Sequence, residues 1–461
     1  MEKLWKSYGK ATRLLLVLLA VSFVTSCNKE FELKVEESTS GIPELQLVGE
    51  ERATETFNNF IRILNDDPET RSTSIVPIIS SVKRTSTSAY GSTQTKSNGF
   101  DLPVYELILQ NPDSTNGFAV VADASIADEV IAYSPRGSIA DTTYNEGLAL
   151  YFRELAQLSE IISQNTVTKV VTNPGGNSGE YVQPGWDNAF YFKRYETAEI
   201  FRWKTPGEPY TYGYYGPIDH LENFTAFVPT EWSQHAPYNN KVPYYVTGTN
   251  KRVVVGCYAV AVGQLMAFHK KPTTYNWSLL TSYPMISPGS GANEVSRLLY
   301  DIAVAGNTTY STDAPTGSGS TYTENIISGI DRMGYTANQI YLGSEGGSSL
   351  PIREEIKTYK RPVLYSATSP TAGHIWVIDA VISYERWYYY QVSHSGPGWG
   401  GTISVTRCRA QCNLMHCNWG WGGDCDGWYY DFNPHHLDFN GNPQNLYFET
   451  QKRIFINVKP K

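Results

Sequence analysis

Between Asn28 and Tyr210 the sequence contains neither histidine nor cysteine. These side chains most often shuttle protons or attack carbonyls near neutral pH, so that long stretch offers no catalytic set of its own. Basic clusters are missing too. The net charge is −8 and no Lys/Arg run occurs outside the N-terminus, which argues against nucleic acid as a partner. Beyond the N-terminus, every apolar segment is interrupted by a charge or a glycine before the ~20 residues a membrane-spanning helix needs, so a second membrane segment is not expected. Charged residues make up 18% and hydrophobic residues 41%, an ordinary globular balance that excludes wholesale disorder. With 461 residues the chain is too long for one core, since cores stop growing at roughly 250–300 residues. Two folded units and a tether are expected.

What is present begins with an address. Lys3, Lys6, Lys10 and Arg13 precede the run Leu14 to Val24, apolar except for Ser22, which reads as a signal peptide. Val24-Thr25-Ser26-Cys27 resembles the lipobox of bacterial lipoproteins, so Cys27 is the expected lipidation site and the N-terminal lipid the only expected membrane contact. Residues 28–50 are polar and read as a tether. An α+β domain is expected over 51–171. Ala53, Phe57, Phe60, Ile61 and Leu64 recur at helical spacing. Val104 to Leu109 and Gly117 to Ala122 read as strands of a hairpin joined by Asn111-Pro112-Asp113 and Asn116-Gly117. Leu148, Tyr151, Phe152, Leu155, Leu158, Ile161 and Ile162 line a second helix over 144–164. The turn formers Thr172 to Gly179 open a linker, assigned to 172–206. The remaining unit, 207–461, holds all eight histidines and five of the six cysteines.

Four short segments of that unit carry chemistry. In KRVVVGCYAVAVGQLMAFHKKP, Cys257 follows Gly256 and opens a helix on which Ala259, Val262, Leu265 and Met266 recur. The positive end of the helix dipole and the free N–H groups there favour thiolate over thiol, and the same N–H groups can stabilise an oxyanion. His374 heads the apolar strand GHIWVIDA, and Gly373 before it lets a substrate backbone approach. An imidazole there can take the thiol proton and later protonate a leaving amine. In Cys417-Asn418-Trp419-Gly420-Trp421-Gly422-Gly423, Asn418 is expected to orient the imidazole and Trp419 to shield that hydrogen bond from water. Gln234, in Trp232-Ser233-Gln234, offers a second oxyanion donor. His269 is read as a cation capping the C-terminus of the Cys257 helix, and His435 and His436 as surface residues.

Taken together, these parts resemble the streptopain family of cysteine peptidases. GCYAVAVGQLMAFHKKP is similar to the family's nucleophile segment GCVATAxAQIMxxxxxP, and AGHIWVIDA to its GGHAFVIDG. NWGWGG is identical to its late Trp-rich motif. GFAVVADASIADEVIAYSPRGSI resembles a propeptide motif of the family. The resemblance implies a papain-like α+β fold, with a helical lobe carrying Cys257 and an antiparallel β lobe carrying His374. It also implies a prodomain, 51–171, that acts as an intramolecular inhibitor until proteolysis between about 171 and 207. The expected activity is hydrolysis of protein or peptide substrates through a Cys257 thioacyl-enzyme with His374 as general base, Gln234 as oxyanion donor, Asn418 and Trp419 in support, and Gly256 and Gly373 at the substrate. No cofactor and no metal are expected.

The sequence departs from the family over 395–416, where Gly-rich and Cys-bearing residues are inserted. Cys408, Cys412, Cys417 and Cys425 form an even set outside the cytoplasm. Two disulfides are expected, with three possible pairings. The alternative is a zinc site with His394 or His416, although the cysteine spacings fit no standard ribbon. For the whole chain, the rival functions are acyl transfer on the same scaffold and a catalytically dead surface-binding protein.

Overall fold

A computed structural model describes residues 49–65, 76–86, 89, 103–122, 130–143, 145–165, 211–224, 226–313, 317–343, 350–370, 372–393, 403–430 and 451–461, with 157–165, 211–224, 383–393 and 403–413 described by backbone alone. The signal peptide, the tether up to residue 48 and the 172–206 linker lie outside the described residues, as do His394, His435 and His436. No described helix is long and apolar enough to cross a membrane.

The expected elements of the first segment are present. Helix α1 (Gly49–Asn65) buries Ala53, Phe57, Phe60 and Ile61 on one face. Strands β1 (Ile78–Ser86), β2 (Pro103–Gln110), β3 (Asn116–Ala122) and β4 (Val130–Ser134) follow as an antiparallel meander. β2 and β3 form the hairpin read from the turn residues; β1 and β4 carried no comparable signal. Helix α2 (Glu146–Asn165) starts at Asn145, whose Oδ1 accepts the Leu148 N–H at 3.0 Å, and buries Leu148, Leu150, Phe152 and Leu155. An N-cap oxygen of this kind satisfies one of the helix's orphan donors.

The second segment contributes β5 (Thr211–Phe224), α3 (Cys257–His269), α4 (Ser290–Ala305), the small hairpin β6 (Thr309–Ser311) and β7 (Ser318–Ser320), and α5 (Thr323–Arg332). It ends with β8 (Tyr335–Gly343), α6 (Leu350–Lys357), β9 (Val363–Thr368), β10 (Gly373–Ser393), β11 (Ile403–Asn418), β12 (Gly427–Tyr430) and β13 (Gln451–Pro460). One antiparallel sheet runs β1-β2-β3-β4-β12-β11-β10-β9-β13-β8, with β5 also paired to β10. The β4–β12 ladder, Trp428 opposite Tyr133 and Tyr429 opposite Ala132, makes the two segments share that sheet inside one compact unit, Leu47–Lys461.

β10 separates two cores. Because side chains alternate along a strand, Ile375 and Val377 enter the core of α3, α4 and α5, while Trp376 and Ile378 enter the core shared with α1 and α2. That two-sided burial explains why its sequence is apolar without alternation. α3 is apolar on every side, with ten of its thirteen residues buried, which marks an interior helix.

Within the 395–416 departure, residues 403–416 belong to β11 and extend the sheet. The far part of β10 continues to Ser393 and is flanked by β11 on one side and β5 on the other. The expectation of two disulfides is not met. Cys408, Cys412 and Cys417 lie on the single strand β11. At a rise of about 3.4 Å per residue they are more than about 13 Å apart, beyond the ~7 Å a bridge tolerates. Cys425 is a free thiol, its Sγ 3.7 Å from Ser138 O and 3.6 Å from Asp141 Oδ2. Strand geometry, which the cysteine count could not reveal, decides this.

Between α2 and β13, Lys452 and Glu154 form an ion pair of 2.6 Å with side chains 5% and 8% exposed. Removing one partner strands the other as a buried charge. Lys452→Met is expected to cost about 3–5 kcal/mol in urea unfolding, and Glu154→Leu in the same chain to recover most of it.

Candidate active site

Cys257 sits at the first position of α3 because the segment before it breaks sharply at Gly256. Gly256 has φ 99°, which side chains rarely tolerate, and a Cβ there would lie 2.7 Å from Gly319 O. No side chain caps the helix, so its first N–H groups remain available beside the sulfur. Cys257, His374, Gln234, Gly373 and Trp421 line one cavity of about 400 Å³, together with Val254, Ile326, Ile375 and the β7 residues Ser318, Gly319 and Ser320. The sequence-predicted nucleophile, base, amide donor and substrate-side glycine are thus gathered at one place.

His374 is buried, and its ring lines the same cavity as Cys257. Its Nε2 lies 2.9 Å from Trp419 O. A carbonyl oxygen only accepts, so Nε2 must carry a proton and Nδ1 is the nitrogen left to exchange one. Glu146 Oε2 lies 3.5 Å from that Nδ1. Burial by itself pushes the imidazolium down; the neighbouring Cys257, then Glu146, outweigh it and raise the group from 6.5 to about 10. The imidazole plane stacks near Trp376 (6.0 Å, 19°) and Trp421 (6.4 Å, 12°), which narrow water's access.

Two expectations require correction. Asn418 does not orient His374. Its Oδ1 accepts from Gln264 Nε2 (2.8 Å) and Gly420 N (3.3 Å), and its Nδ2 donates to Thr230 O (2.8 Å). The backbone carbonyl of the next residue, Trp419, holds the imidazole instead, while the Trp419 ring lies buried 6.5 Å from it. His269 is not a cationic cap. Its Nε2 lies 3.0 Å from Val458 O, burial lowers its proton affinity, and the helix ends at Lys270 in the left-handed region.

Gln234 is 3% exposed and its Nε2 has no protein partner, leaving a buried donor at the cavity. His416, weighed above as a zinc ligand, has Nδ1 2.7 Å from Asp379 Oδ1. Among the described residues no cluster of three or more His, Cys, Asp or Glu is arranged to hold a metal.

Sequence reading missed three contributors. Glu146 comes from the segment judged to have no catalytic set. Apart from Cys257, Tyr258 and the terminal His269, Gln264 is the only polar side chain of α3, and that isolation in an apolar helix was an available signal. Asp426 Oδ1 accepts the Trp419 N–H at 2.7 Å, and burial pushes its carboxyl up to about 8. Its tie to Trp419 is seven residues distant in sequence and left no pattern.

A thiol and an imidazole lining one cavity, with the imidazole tautomer fixed and a buried amide donor beside them, are arranged for attack by sulfur on a carbonyl carbon. The Peptidase C10 family is matched over residues 232–276 and 272–429, so this part of the chain is similar to that family. The chain is also 25% identical over 266 residues to the "Thiol protease/hemagglutinin PrtT" of Porphyromonas gingivalis, a match covering 50% of this chain and 26% of that protein.

Gly256→Ala places a methyl against Gly319 O at a backbone angle only glycine adopts readily. Displacing the sulfur by about 1 Å is expected to slow labelling of Cys257 by a peptidyl epoxide about 100-fold, measured by mass spectrometry.

Proposed function

We propose that the chain is the exported, lipid-anchored zymogen of a cysteine endopeptidase acting on proteins, with Cys257 as nucleophile and His374 as general base. The observation that carries this reading is that Cys257 shares one cavity with an imidazole whose Nε2 proton is committed to Trp419 O and with the unpartnered Gln234 amide. Cys257 sulfur attacks the scissile carbonyl carbon while the first N–H groups of α3 and Gln234 Nε2 hold the oxyanion. The C–N bond breaks as Nδ1–H of His374 protonates the amine. Water then attacks the thioester, gives its proton to Nδ1, and the C–S bond breaks to restore the sulfur.

Contacts from the first segment support latency. Glu146 lies against Nδ1 and competes for the nitrogen that the chemistry needs. At Gly147 a Cβ would lie 2.4 Å from the Trp419 ring and 2.6 Å from His374, so glycine lets α2 begin against the site. Arg136 secures the same segment through Glu231 (2.6 Å) and Gly422 O (2.9 Å), and Ser134 Oγ donates to Asp426 O at 2.8 Å. Cutting between about 171 and 207 would free this segment. Acylation of Cys27 would tether the chain to a membrane face that its sequence does not specify.

Cys257→Ala is expected to abolish peptide hydrolysis and self-cleavage, and Gln234→Ala to lower kcat about 100- to 1,000-fold. Self-cleavage of Cys257→Ala at the wild-type rate would sink the proposal, and amine incorporation without hydrolysis would reassign it to acyl transfer.

The Glu146 contact has its own pH signature. The folded imidazolium titrates at about 10 against an ordinary 6.5, so the native state holds the extra proton between those values. Its stabilisation is complete below pH 6.5 and is lost as pH rises towards 10. Glu146→Gln removes one of the two groups that raise it. The unprocessed variant is expected to lose less thermal stability than wild type between pH 6.5 and 10, and to cleave itself faster.

A further inference from the structure

Gln264 lies seven residues after Cys257 on α3, about 20° short of two full turns, so both side chains leave the same face of the helix. It is fully buried, and both ends of its amide are engaged. Oε1 accepts from Trp232 N at 2.8 Å and from Thr230 Oγ1 at 3.4 Å, and Nε2 donates to Asn418 Oδ1 at 2.8 Å. The polarity of this chain is fixed at both ends by backbone groups. Trp232 N–H can only donate, so the amide oxygen must face it. Asn418 must then present its oxygen to Gln264 and to Gly420 N–H, while its nitrogen donates to Thr230 O at 2.8 Å.

The two loops joined in this way are the ones the site depends on. Trp232 stands two residues before the oxyanion donor Gln234, and Asn418 immediately precedes Trp419, whose carbonyl holds His374 Nε2. We propose that Gln264 is a positioning residue: one amide on the nucleophile's own helix sets the oxyanion loop and the imidazole's backbone anchor relative to the sulfur. This inference rests on the Cys257–His374 reading. Asn418 thereby acquires a role as the second link of this chain, acting on His374 through Trp419.

The test compares Gln264→Glu and Asn418→Asp with wild type and Cys257→Ala, using the full chain taken through its own processing. Gln264→Glu keeps the acceptor for Trp232 N–H but loses the donor to Asn418. Asn418→Asp keeps the acceptor for Gln264 and loses the donor to Thr230 O, so it probes the same link should the first variant fold poorly. Each is expected to lower kcat per titrated active site at least 30-fold with KM changed less than threefold, and to shift the pH profile of Cys257 alkylation. In Gln264→Glu the ratio of variant to wild-type kcat should rise as pH falls, because a protonated carboxyl regains the missing donor. A merely structural role lowers the yield of folded protein and leaves kcat per site and the alkylation profile at wild-type values; that result in both variants overturns the inference alone. Wild-type turnover that survives Cys257→Ala overturns this inference and the catalytic reading together.

Discussion

The hydrogen bond from His374 Nε2–H to the Trp419 carbonyl constrains everything around it, because it decides which ring nitrogen is free. A side-chain amide in that place could present either its oxygen or its nitrogen after a flip. A main-chain carbonyl can only accept. The imidazole is therefore held in one tautomer by a group that cannot reverse, and Nδ1 is left facing Cys257 and Glu146. The cost of this arrangement is that the anchor has no side chain of its own to place it. The peptide at Trp419 has to be held from both sides, by Asp426 at its N–H and by Asn418 just before it.

Those supports converge from distant parts of the chain onto α3. Burying an amide or a carboxyl in an apolar interior is unfavourable unless each polar atom finds a partner. Gln264 meets that condition with the Trp232 and Asn418 loops, and the apolar remainder of α3 fixes the helix in the core of α4 and α5. The helix thus supplies the nucleophile at its first residue and the ruler for the other groups two turns later. β10 works in a similar way. His374 stands at its start, Ile375 and Val377 pack toward α3, and Trp376 and Ile378 pack toward α2, so the imidazole is clamped between two cores.

Local pattern made the helices α1, α2 and α3 legible, as well as the β2–β3 hairpin and the apolar start of β10, since each announces itself within a dozen residues. It also made Cys257, His374, Gln234 and Gly373 legible as a set, because each sits in a short segment whose residue types have a chemical use. Asn418 was named for its side chain, and the actual contact belongs to the next residue's backbone, which no sequence can advertise. The four cysteines suggested bridges because counting ignores direction, whereas three of them lie along one extended strand. β1 and β4 escaped notice because their partners, β2, β3 and β12, lie elsewhere in the sequence and supply most of their stability.

The segment without histidine or cysteine gains a physical explanation from Glu146, under the reading of it as an intramolecular inhibitor. A plug for this site has to satisfy a buried imidazolium without offering the site chemistry it could complete. A carboxylate does so: it accepts a hydrogen bond, matches the positive charge, and is a poor acyl acceptor. Placement at the first turn of α2 adds a second constraint, because Asn145 already caps that helix and Gly147 clears space for the Trp419 ring. Glu146 is thereby presented on a rigid support and its approach to Nδ1 is set by packing. The missing reactive side chains and the one acidic contact are two consequences of the same requirement, that the segment bind the catalytic base tightly while remaining inert to it.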